Sequence, residues 1–116
     1  MERELKKLLF DTQEAALAVK QFIHGKSLID YQASDLLRSA VERKFEIIGE
    51  ALNRIRQTNE DALEEITEYR KIIGFRNILA HGYDAISDEI VWEICGESLN
   101  TLLVDVERLL EKQKSG

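Results

Sequence analysis

At 116 residues, 44% hydrophobic and 33% charged, the chain is sized for a single domain, 1–116, with its own apolar core. Its formal net charge of −6 excludes the broad basic field of an indiscriminate nucleic-acid binder, but allows a small basic site within an acidic shell. No apolar run approaches the roughly 20 residues of a membrane span. The start, Met1-Glu2-Arg3-Glu4-Leu5-Lys6-Lys7, lacks a secretory apolar core, and the single cysteine, Cys95, can form no internal disulfide, so the expected compartment is the cytoplasm.

The absence of proline favours helices over a turn-rich sheet fold. From about Glu2 to Lys26, Leu5, Leu8, Leu9, Ala15, Ala16, Val19, Phe22 and Ile23 recur at helical spacing, and Gly25 is placed to stop the helix. A second helix is predicted from about Ser34, its N-cap, to Gln57, with an extra turn from Ser27. Leu37, Val41, Phe45, Ile48, Leu52 and Ile55 form its apolar stripe, and Arg38, Glu42, Glu46, Glu50, Asn53 and Gln57 its polar side. The region from Asp61 to His81 reads as broken. Thr58-Asn59-Glu60-Asp61 resembles a capping box opening a short turn through Glu65, and Thr67 can cap a piece running to about His81. Gly74 and Gly82 are further candidate helix ends, and Tyr83–Ile86 is a short connection. Ser87 can cap a last helix, about Asp88 to Lys112. Its apolar arc, from Val91 to Leu110, is wider than the roughly 100° stripe of a surface helix. The helix is therefore central to the bundle, covered in a homodimer, or both.

Arg76-Asn77-Ile78-Leu79-Ala80-His81-Gly82-Tyr83 carries the chemistry. A guanidinium grips phosphate bidentately, and an imidazole moves protons near neutral pH. RNA cleavage needs a base for the ribose 2′-hydroxyl, an acid for the leaving oxygen, and positive charge on the phosphorane. His81 suits the first two roles and Arg76 the third. Asn77 can orient the imidazole or bond phosphate, and Tyr83 can donate to phosphate or stack on a base. No cysteine–histidine cluster or paired-histidine spacing offers a metal site, and no cofactor is expected. On a continuous helix Arg76 and His81 lie about 140° apart. Unwinding at His81-Gly82 relieves this, as does a twofold dimer in which one chain's Arg76 faces the other's His81. Glu46 and Glu50 read as a solvated face or auxiliary acid–base groups. Arg38, Arg43, Arg70 and Lys71 can lend local positive charge. Cys95 reads as a small core residue, and His24 as an ordinary helix-end histidine.

RNILAHGYD closely resembles the R-x-x-x-x-H-x-Y signature of the HepT-like toxins in the HEPN superfamily. Two further blocks support the likeness. Arg38-Ser39-Ala40-Val41-Glu42-Arg43 leading to Ile47-Ile48-Gly49-Glu50-Ala51 resembles the family's second helix, and Asp88-Glu89-Ile90-Val91-Trp92 the start of its last. The resemblance implies an all-α, antiparallel bundle of four to five helices that forms a homodimer with both motifs in one cleft. It implies a metal-independent endoribonuclease toxin of a type II or type VII toxin–antitoxin pair, with Arg76 and His81 at the catalytic positions. It also implies a minimal nucleotidyltransferase antitoxin that adds AMP to Tyr83 and so silences the site. Two other readings remain open. One is a non-catalytic HEPN module that partners a nucleotidyltransferase, and the other is a structural helical dimer.

Overall fold

A computed structural model describes the backbone of residues 2–81 and 87–115 and the side chains of 3–77 and 87–113. Among the described residues every regular element is helical: α1 (Glu2–Ile23), α2 (Leu28–Ala33), α3 (Asp35–Thr58), α4 (Glu60–Glu64), α5 (Tyr69–His81), α6 (Asp88–Glu93), a π-helical stretch (Ile94–Ser98) and α7 (Leu99–Ser115). The all-α class expected from the sequence is the class observed.

The caps explain most of the boundaries. After α1 the chain turns through Gly25 at φ +74°, a left-handed conformation that costs a glycine little. Ser27 and Asp30 form a reciprocal capping box, so the extra turn is a separate helix, α2. The Ser34 hydroxyl accepts from the Leu37 N–H, which starts α3 at the expected place. At the next junction the cap is one residue later than the Thr58-led box: Asn59 accepts from the Ala62 N–H, while the Thr58 hydroxyl donates to the Arg54 carbonyl. Ser87 caps α6 by accepting from the Glu89 and Ile90 N–H groups. Gly74, read above as a helix end, lies inside α5, and Gly82 falls outside the described residues.

α3 is the central element, packing against α1 on one side and α5 on another, while α7 packs on α1. Leu9, Val19, Phe45, Ile48, Leu52, Ile55, Ile72, Leu99 and Leu102 are among the most deeply buried side chains. Much of the last helix's wide apolar arc is covered within the chain itself: Val91, Ile94, Cys95, Leu99, Leu102, Val106 and Leu109 are all buried. Trp92, Leu103 and Leu110 of that arc are partly buried, and Val104 beside it is 58% exposed. α2 docks on α6 through Tyr31 against Trp92, with ring centroids 5.5 Å apart, and through Gln32 donating to Glu89.

The turn before α5 is not held by a Thr67 side-chain cap. The Thr67 N–H donates to the buried Asp105 carboxylate of α7 at 2.9 Å, and Arg108 approaches the other oxygen at 3.3 Å. A carboxylate from a distant helix thus anchors the chain entering α5. Asp105→Ala leaves that N–H without its partner and should lower unfolding stability by about 1–3 kcal/mol. A urea unfolding midpoint unchanged from wild type would show that this tie contributes nothing.

Candidate functional site

α5 carries Arg76, Asn77 and His81, and its placement follows from its apolar residues. Ile72, Ile73 and Phe75 are buried. Phe75 meets Phe45 of α3 edge-on, with centroids 5.1 Å apart and planes at 69°. That geometry suits two aromatic quadrupoles. Arg76 follows immediately and is half-buried at the rim of this contact, whereas Asn77 is exposed.

The two helices approach closely beside Arg76. Gly49 of α3 is buried, and a Cβ added there would lie 2.5 Å from Arg76 Cγ and 3.3 Å from its Cδ, with Arg76 Cβ nearer still. The aliphatic stem of Arg76 therefore lies across the bare backbone of Gly49. Its guanidinium Nη1 donates to Asn77 Oδ1 at 3.4 Å. Asn77 thus has a described partner in Arg76. The roles read for it from sequence, orienting the imidazole or bonding phosphate, concern groups outside the described side chains.

α5 is helical through His81, so the unwinding read from sequence is not met at that residue. Arg76 and His81 occupy one regular helix, about 140° apart around its axis and about 7.5 Å apart along it. The two positions therefore stand on different sides of that helix. Asn77 and His81, four apart, share a face. Tyr83 lies outside the described residues.

Two of the four additional cations read from sequence are otherwise engaged. Arg38 binds the Tyr31 and Gln32 carbonyls and the Asp35 carboxylate, closing the end of α2. Arg70 lies 4.7 Å over the Tyr69 ring and 4.0 Å from Glu64. Arg43 and Lys71 are exposed. Glu46 is half-buried and Glu50 exposed. Beside Glu46, Glu42 has its carboxyl raised above the ordinary glutamate range, first by burial and then by the nearby Asp88 charge, with Arg38 opposing. Carboxylates of Glu42, Glu46 and Asp88 therefore crowd the α3–α6 side of the domain. Burial pushes the Cys95 thiol up to about 12, so it stays protonated and inert as a nucleophile. Among the described residues no group of three or more His, Cys, Asp or Glu side chains could hold a metal ion, and no helix is long and apolar enough to cross a membrane.

Gly49 is the residue that sequence reading passed over, quoting it only within a block. The available signal was a glycine inside a long helix, a choice that costs about 1 kcal/mol against alanine and calls for a reason.

Comparison with known proteins identifies the family. A sequence profile described as ribonuclease HepT-like matches residues 12–109. A protein of Methanocaldococcus jannaschii, provisionally named an RNase, is 33% identical over 107 residues, covering 90% of this chain and 95% of its own. Another provisionally named RNase, from Caldanaerobacter subterraneus, is 28% identical across 88% of this chain and 89% of its own. A Thermococcus cleftensis protein, provisionally named ribonuclease HepT, is 28% identical across 94% of this chain and 98% of its own. No solved structure matches the chain significantly.

Proposed function

Since the chain belongs to the ribonuclease HepT-like family, we propose that it is a metal-independent endoribonuclease acting as a homodimer, with Arg76 and His81 as its catalytic residues. The supporting observation is the family match over residues 12–109, which contains the whole Arg76–Tyr83 segment. The helical positions support two copies: residues 76 and 81 stand about 140° apart around α5, so a site shared between chains brings both groups to one phosphate more readily than one chain does. A twofold axis beside α5 brings Arg76 of one protomer toward His81 of its partner.

At such a site one imidazole removes the 2′-hydroxyl proton. The 2′-oxygen then attacks the adjacent phosphorus, and the Arg76 guanidinium bonds the equatorial oxygens as negative charge builds. The second imidazole protonates the departing 5′-oxygen. The products are a 2′,3′-cyclic phosphate and a 5′-hydroxyl. The ribose supplies its own nucleophile, so the reaction needs no metal-bound hydroxide.

Regulation follows from Tyr83, two residues beyond His81. Its phenol oxygen attacks the α-phosphorus of ATP on a minimal nucleotidyltransferase antitoxin. Pyrophosphate leaves, the phenol proton is lost to solvent, and Tyr83 carries AMP. The added negative charge and bulk beside Arg76 repel an RNA phosphate. The chain is then the toxin of a type II or type VII pair.

The test is incubation of the purified protein with single-stranded RNA in excess chelator. Fragments ending in cyclic phosphate are the expected result. RNA left intact by a protein that binds a nucleotidyltransferase tightly would overturn the enzyme reading in favour of the binding module. The −6 net charge and the carboxylates near Glu42 are the features that favour that module.

A further inference from the structure

The geometry points to Gly49 as the positioning residue for Arg76: its missing side chain is the seat that fixes where the guanidinium stands. This rests on the ribonuclease reading above for its catalytic consequence, but the contact itself does not.

Gly49 lies within the 24-residue α3, where glycine weakens the helix. Gly74 and Gly96 also lie in helical segments, yet a Cβ at either meets nothing within 4 Å, whereas at Gly49 it meets Arg76. The collision involves Arg76 Cβ and Cγ, the root of the side chain. Cβ is fixed to the backbone, so no change of rotamer relieves the overlap, and α5 itself must shift. The Phe45–Phe75 contact, one turn before Gly49 on α3 and one residue before Arg76 on α5, packs the two helices together and opposes such a shift.

The seat also sets direction. Because Arg76 Cδ passes 3.3 Å from the same point, three carbons of the stem lie against Gly49 before the guanidinium is reached. Positions 42, 46, 49 and 53 of α3 fall within about 60° of one another around its axis. Glu42, Glu46 and Asn53 on this side of α3 are half-buried. A methyl at position 49 moves Arg76 relative to His81 of the partner protomer while leaving both side chains chemically intact.

The experiment uses the full chain and five proteins: wild type, Gly49→Ala, Gly96→Ala, Arg76→Gly, and the double variant Gly49→Ala/Arg76→Gly. Circular dichroism melts and steady-state cleavage of a single-stranded RNA are measured on each. Gly49→Ala is expected to lose roughly 100-fold in kcat with KM little changed, the scale of a displacement near 1 Å. Gly96→Ala should cleave like wild type. The loss of melting temperature caused by Gly49→Ala should disappear in the Arg76→Gly background, where residue 76 has no Cβ. If Gly49→Ala fails to fold while the double variant folds, the seat is supported by that rescue. Wild-type kcat in Gly49→Ala, an equal melting loss in both backgrounds, or failure of both variants to fold would overturn the proposal. A wild-type chain that cleaves no RNA would remove the ribonuclease reading instead, and the melts alone would then decide the contact.

Discussion

Replacing His81 with alanine should lower RNA cleavage by roughly 10²–10⁴-fold, the usual contribution of a positioned general acid or base. The substitution removes the base from one end of the reaction and the acid from the other, because a symmetric dimer draws both from the same residue. Wild-type cleavage should follow a bell-shaped pH profile, since one imidazole must be neutral while the other is charged. The variant should lose both limbs together. KM should change little, since RNA is held by the guanidinium and the surrounding surface. Equal cleavage by wild type and His81→Ala would mean that the activity comes from a contaminant.

How far the sequence could be read depended on the range of the interaction concerned. Ser27, Ser34 and Ser87 cap helices within three residues of themselves; Ser34 and Ser87 were legible as caps, Ser27 only as the start of an extra turn. The Thr58–Asn59 ambiguity arose because both side chains suit a cap, and only the backbone direction decides between them. Asp105 reads as one acidic residue on the last helix, and nothing local says that it ties the chain entering α5. The apolar arc of the last helix announced burial without naming what buries it, and α1 and the rest of the core cover much of it within the chain. The π-helical stretch at Ile94–Ser98 left no mark in the periodicity beyond Gly96. For the candidate site, the residue types at 76 to 83 carried the chemical reading. A glycine inside a predicted helix signalled only that position 49 needs a reason; what it seats depends on which helix crosses α3 and how closely.

Arg76→Ala should cost roughly 10²–10³-fold in kcat, comparable to removing one donor that stabilises charge developing in a transition state. Lysine at the same position should recover only part of the loss. It restores the charge but not the planar fork that meets two phosphate oxygens at once. A lysine variant with full activity would show that a point charge suffices and that the fork has no role. The melting temperature separates catalysis from folding. Arg76 is half-buried and its stem packs on α3, so alanine should lower it modestly, while kcat falls by orders of magnitude.

The central claim is that two protomers act on the same phosphate, each lending its imidazole as the partner's guanidinium holds the charge. Mixing equal amounts of wild type and His81→Ala, unfolding them together and refolding them, tests it directly. Only the quarter of dimers built from two wild-type chains then holds both imidazoles. The mixture should therefore show about a quarter of the activity of the same amount of wild type. Half of that activity would mean that each chain acts alone, and would contradict the shared site.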